Sequence, residues 1–152
     1  MPSQDQLLVA YATTLFEANT TLGSVVLKVG EYNDCLANLY RTTGAQCAAY
    51  ITAWNPASVP LTQEQNGVRH TDLLASLKTR GYTYSEGYGR DPTGQWPPER
   101  SVLVLGIPDG EACAVGREFG QAAIVVVDAD AIPRLRWLLD VADSPNAGSK
   151  KP

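Results

Sequence analysis

The spacing of apolar residues along this chain changes repeatedly, and each change marks the boundary of an element. Residues 3–12 predict a short helix with Ser3 or Asp5 near its start. TTLFEA (13–18) and VVLKV (25–29) are rich in β-branched and aromatic residues, and the polar NTTLGS between them reads as the loop of a hairpin. In NDCLANLYRTTG (33–44), Leu36, Leu39 and Tyr40 fall at helical spacing and Gly44 suits the C-cap. AAYITAW (48–54) is apolar almost throughout and ends sharply at Asn55-Pro56, as a central strand buried on both faces would.

Thr62-Gln-Glu-Gln65 has the form of a capping box and predicts a helix to about residue 80, closed by Gly81. YTYSEGY (82–88) alternates, which places Tyr82, Tyr84, Glu86 and Tyr88 on one face of a strand. Asp91-Pro-Thr-Gly94 has the sequence of a type I turn. VLVLGI (102–107) and AAIVVV (122–127) read as buried strands joined by a helix over EACAVGREF (111–119). That order predicts a parallel pair with a crossover connection. Residues 132–142 fit strand or helix, with a strand beside 122–127 preferred. The expected fold is a single α/β (α+β) domain over 1–143. It has a mixed β-sheet, an N-terminal hairpin and three to four helices, with a disordered tail at 144–152.

A chain of 152 residues can bury a real core without disulfide or metal support. The formal charge is −4, and setting aside the tail lysines Lys150 and Lys151 leaves roughly −6. An acidic body repels phosphate backbones, so nucleic acid is not an expected partner. Cys35, Cys47 and Cys113 form no CxxC pair or zinc spacing and read as buried reduced thiols. MPSQDQLL lacks the basic start of a secretory leader, and no apolar run is long enough to span a bilayer. A cytoplasmic location is expected, with neither metal nor organic cofactor and with oligomeric state open.

Familiar motifs are mostly absent. GYGRDPTG has two close glycines but neither a dinucleotide fingerprint nor a P-loop, and no GxSxG elbow is present. His70, the sole histidine, is expected to be a partly buried residue bonded to backbone rather than a general base. Trp54, Tyr82, Tyr84, Tyr88 and Trp96 can form an aromatic wall, although such residues are more often packing.

Polar residues interrupt apolar stretches at three places: Asn55 at the end of a buried strand, Glu99 and Ser101 before another, and Gln121 before a third. Strand ends commonly form ligand-binding rims. Asn55, Asn66, Ser101 and Gln121 are candidates to orient a polar ligand, Arg69 to hold an anionic group, and Glu99 to move protons. Each also has a structural alternative: amides satisfying turns, and Glu99 paired with Arg69 or Arg100.

AYxxTxF (10–16), ITAWNPxS (51–58), Asn66, GRDPTGQWPPExS (89–101), LVLGI (103–107) and FGQAAI (119–124) together resemble a bacterial family known only as a domain of unknown function. The resemblance runs from about residue 8 to about residue 139. It implies a bacterial, single-domain cytosolic protein and assigns no residue a role. Two functions stay open: binding, with or without chemical conversion, of a small polar or anionic ligand at the rim; and a protein-interaction module such as a regulator, adaptor or immunity-type inhibitor. The motive for the second is the acidic body and the tyrosine face.

Overall fold

A computed structural model describes residues 3–139. The chain begins with helix α1 (Gln4–Thr13), which Ser3 caps by accepting from the Gln6 amide while the Gln6 side chain accepts from the Ser3 amide. Strands β1 (Leu15–Thr20) and β2 (Gly23–Leu27) form the expected hairpin. Helix α2 (Asp34–Thr43) starts under the Asn33 side chain and ends at Gly44, whose left-handed φ of 80° closes it. Strand β3 (Ala48–Thr52) leads through a 3-10 turn (Pro56–Ser58) into α3 (Gln63–Thr79), which opens with the Thr62–Gln65 capping box. Then follow β4 (Ser85–Arg90), β5 (Glu99–Leu105), α4 (Asp109–Glu118), β6 (Ala123–Val127) and β7 (Pro133–Trp137).

The seven strands form one sheet in the order β2-β1-β4-β5-β3-β6-β7, and every neighbouring pair is antiparallel. Among the described residues the single α+β domain, its hairpin and its four α-helices match expectation, but the sheet is antiparallel throughout rather than mixed, and the expected parallel pair is not formed. β5 and β6 do point the same way. β3 lies between them and pairs antiparallel with both. Ala48–Ile51 are all buried, so β3 takes the central position. A buried apolar run announces burial on both faces without naming its neighbours.

Alternate residues divide the core between the two faces of the sheet. Tyr50, Leu103 and Val125 pack with Leu36 and Leu39 of α2, and Tyr11 of α1 joins that cluster. Ile51, Val102, Val104 and Ile124 pack with Leu73 and Leu77 of α3 and with Val115 of α4. The arrangement is helix, sheet, helix.

Gly87 is where the sheet is tightest. A Cβ there would lie 1.8 Å from the Glu17 carbonyl oxygen of β1, and the Tyr50 hydroxyl donates to that same oxygen at 2.6 Å.

Other readings shift in detail. β4 begins at Ser85, so Tyr82 and Tyr84 precede it and pack against the α3–α4 side, while Tyr88 is exposed. Cys113 is buried and Cys47 half-buried, but Cys35 is exposed on α2; all three are free thiols. Residues 133–137 form the preferred strand beside β6. The last residues of the ambiguous 132–142 segment, the end of the 1–143 domain and the 144–152 tail lie outside the described residues. No helix among the described residues is long and apolar enough to cross a membrane.

Candidate functional site

Because β3 is antiparallel to both neighbours, its C-terminal end lies beside the N-terminal starts of β5 and β6. Thr52 pairs with Ser101 across that boundary. The three polar interruptions therefore meet at one end of the sheet, on the α1–α2 face. They line a cavity of about 290 Å³, floored by Tyr50, Ser101 and Val125 and roofed by Leu7, Ala10 and Tyr11 of α1. Trp54, Asn55, Ser58 and Pro60 close one side, and Glu99 and Trp96 another. Tyr11 and Phe16 stack with centroids 6.5 Å apart, and Phe16 meets Tyr50 edge-on at 5.2 Å.

Among the described residues Glu99 is the only acidic side chain lining this cavity. Burial pushes its carboxyl up to about 7, and one hydrogen bond from Asn55 works against the rise. Asn55 Nδ2 donates to Glu99 Oε2 at 3.2 Å. That amide is itself fixed: Asn55 Oδ1 accepts from Asn66 Nδ2 at 2.8 Å and from the Leu61 amide at 3.0 Å, and the Asn55 backbone donates to Asn66 Oδ1 at 2.8 Å. Neither Arg69 nor Arg100 pairs with Glu99; Arg100 pairs with Glu86 at 3.1 Å. Tyr11 is pushed up to about 12, chiefly by burial and then by the nearby charge of Glu99.

Asn55, Glu99, Ser101 and Gln121 thus line one cavity, whereas Asn66 and Arg69 stand behind it. Asn66, buried on α3, positions Asn55. Arg69 holds no ligand group: its Nε donates to the Ala53 carbonyl at 2.9 Å, and Nη2 donates to the Phe119 carbonyl. It ties the loop after β3 to the end of α4. Gln121 Nε2 reinforces the tie by donating to the Trp54 carbonyl at 3.2 Å and the Phe119 carbonyl at 3.4 Å.

The loop itself is strained. Asn55, Ala57 and Ser58 have φ of 43°, 52° and 62°, and two of these three line the cavity. Asparagine tolerates that region better than alanine or serine. Such strain persists only where surrounding bonds over-determine it, and it collects at functional sites. Here the Ala57 amide donates to the Gly120 carbonyl at 2.8 Å and the Ser58 amide to the Asn55 carbonyl at 2.8 Å.

The other candidates lie elsewhere. His70 is fully buried, and its partner is the Glu86 carboxylate at 2.9 Å rather than backbone. Trp54 and Trp96 join the cavity, but the tyrosines of the expected wall do not. Asp91-Gly94 forms the expected turn, with Gly94 donating to the Asp91 carbonyl at 3.0 Å. The hydroxyl of Thr93 and the amides of Thr93 and Gln95 hold the Asp91 carboxyl below its usual range. Among the described residues no group of His, Cys, Asp and Glu is arranged to hold a metal.

Sequence reasoning gave no site role to Tyr11, Thr14 and Ser58, although AYxxTxF and ITAWNPxS contain them, and it passed over Tyr50. Tyr50 is itself a polar interruption of the apolar run 48–54, the signal that found Asn55.

The described residues therefore form an α+β domain with an antiparallel sheet and, at one sheet end, a partly open cavity that is mostly apolar, walled by aromatic rings and set with a few polar side chains. Residues 51–124 match the model of a family described as a protein of unknown function (DUF3293). That stretch holds Asn55, Asn66, Arg69, Glu99, Ser101 and Gln121, while the AYxxTxF segment of the roof lies outside it. Searches of curated proteins and of solved structures find no match.

Proposed function

We propose that this protein binds a small organic ligand in the cavity under α1 and that Glu99 exchanges a proton with it. The observation that carries this reading is a carboxyl enclosed without a cationic partner and held by a pre-set amide. A carboxyl poised near neutral pH suits general acid–base work. A cavity of about 290 Å³ is at the small end for ligand sites. Among the described residues no lysine or arginine lines it, and Arg69 is engaged with two carbonyls, so an uncharged or cationic ligand is favoured over an anionic one.

The test is a fragment screen read by amide chemical shifts in the labelled protein, with nicotinamide and benzamidine among the probes. Binding is expected to move the amides of Tyr11, Ser58, Ser101 and Gln121. The Glu99→Gln variant is expected to lose the pH dependence of that binding between about pH 5 and 8. A full fragment set that moves none of these amides defeats the proposal. The interaction-module reading has less support, because only Tyr88 of the three tyrosines Tyr82, Tyr84 and Tyr88 is exposed.

A further inference from the structure

The amide beside Glu99 has only one orientation open to it. Asn55 Oδ1 accepts from the Leu61 backbone at 3.0 Å and from Asn66 Nδ2 at 2.8 Å. Turning that amide over would set its NH2 group against both of those donors. Turning Asn66 over as well does not help, because Asn66 Oδ1 is the acceptor for the Asn55 backbone N–H at 2.8 Å. Backbone N–H groups cannot be reversed, so those of Leu61 and Asn55 fix both side chains. Asn66 is buried, and a bond lost there has no water to replace it.

Asn55 Nδ2 is left facing Glu99 Oε2, 3.2 Å away, as a donor. An oxygen that receives an N–H serves as the carbonyl oxygen of a neutral carboxyl, and the proton takes the other oxygen. Glu99 Oε1 has no partner among the described residues, yet it is not sealed in. Among those residues only His70 Nδ1 is an enclosed side-chain nitrogen or oxygen without a partner. Glu99 lines the cavity, so Oε1 is its open oxygen. No other charge stands in for Asn55. Tyr11 of α1 and Tyr50 of β3 line the cavity and are both pushed upward, chiefly by burial, so they stay neutral near pH 7. Arg90 of β4 and Arg100 of β5 do not line it, and they pair with Glu17 at 2.7 Å and Glu86 at 3.1 Å. Arg69 of α3 is held by its two carbonyls.

We infer that Asn55 is a positioning residue, locked by Asn66 and the Leu61 amide, which keeps the proton of neutral Glu99 on Oε1 and steadies the charge left when that proton departs. This rests on the reading that Glu99 exchanges a proton with a ligand. In that exchange the Oε1–H bond breaks, its electron pair stays with the carboxylate, and a lone pair of the ligand takes the proton. The ligand therefore presents a lone-pair acceptor, such as a carbonyl oxygen or a ring nitrogen, to neutral Glu99. Asn55 answers the new charge without moving, since the N–H that meets a neutral carboxyl binds a carboxylate more strongly.

Carbon-13 labelling of the glutamate carboxyls follows the titration of Glu99, assigned by the signal missing from Glu99→Gln. Infrared difference spectra of the same pair of proteins give the C=O stretch of neutral Glu99. Asn55→Gly removes the donor and suits the left-handed φ of 43° at this position. It is expected to raise the Glu99 midpoint by about one pH unit, about tenfold in the ionisation constant, and to raise the C=O frequency. Were Asn55 only a structural plug, its loss would admit water and lower the midpoint toward the ordinary 4.5. Wild-type protein supplies a measurement that needs no variant: the side-chain amide protons of Asn55 are expected to move downfield with the Glu99 midpoint. A midpoint in Asn55→Gly that stays or falls, an unmoved C=O frequency, or an Asn55 amide indifferent to the titration overturns the inference and leaves proton exchange by Glu99 standing. A wild-type midpoint near 4.5 overturns both, and the fragment screen alone decides whether the cavity binds a ligand.

Discussion

A carboxyl that loses most of its water and gains one neutral amide in return holds its proton more tightly than it does in the unfolded chain. Glu99 rises from 4.5 to about 7 on that account. The folded state then binds more protons than the unfolded state between those values. Its contribution to stability is complete below about pH 4.5 and is lost as pH rises through about 7. Wild-type protein is therefore expected to lose about 2–3 kcal/mol relative to Glu99→Gln between pH 4.5 and 8. Urea unfolding of both proteins at several pH values checks this; parallel pH profiles would contradict it. Asn66→Ala is a second case at this scale. It strips the Asn55 backbone amide of its acceptor and Asn55 Oδ1 of one of its two donors. A loss of about 2–3 kcal/mol is expected in the same unfolding assay. Asn55, Glu99 and Gln121 were legible in the sequence because a polar residue beside an apolar run must have a partner, whereas Asn66 stood out only as an asparagine of the following helix and of the resemblance. The direction of each bond was not legible. Arg69 reads as an anion ligand until the carbonyls of Ala53 and Phe119 are seen to occupy it.

Elements were legible where their ends carry local chemistry. The Ser3 and Thr62 caps, the Asn33 cap and the left-handed Gly44 act within a few residues, so the helices fell where their end signals put them. β4 was misjudged at its start because alternation over Tyr82 and Tyr84 imitates a strand. The Tyr82 amide instead donates to the Leu77 carbonyl, finishing α3, and sheet pairing begins only at Ser85 opposite Leu103. Two predictions belong to this scale. Arg69→Met unties the loop after β3 from the end of α4. Faster hydrogen exchange at residues 53–58, with a stability loss of about 1–3 kcal/mol, is the expected result. Gly87→Ala forces a Cβ into the Glu17 carbonyl and must part β1 from β4. Failure to accumulate folded protein is expected, and a native-like spectrum of that variant would show that β1 can move aside.

At the scale of the whole molecule the sequence carried the class of fold but not the order of strands. Burial on both faces is written in Ala48–Ile51, whereas the choice of β5 and β6 as neighbours depends on long-range packing. The roof was equally hidden, since α1 buries only Leu7 outright and has no strong apolar face to announce what it covers. The space between α1 and the sheet forgoes packing contacts and so costs stability. Ala10→Leu places a side chain from a helix position into it. Thermal unfolding is expected to show a gain of about 1 kcal/mol, and the fragment screen to show loss of binding.

The central place of β3 also has a consequence for synthesis. β3 leaves the ribosome with neither neighbour made: β5 begins at Glu99 and β6 at Ala123. At roughly 5–20 residues per second, that wait is on the order of several seconds. Throughout it, an apolar strand has both edges unpaired, a state that invites non-native pairing. The nascent chain is thus expected to depend on chaperones while Ala48–Thr52 waits, and the cavity walls come together only after β6 has docked. Pausing translation just before residue 99 should raise aggregation, while pausing after residue 139 should not.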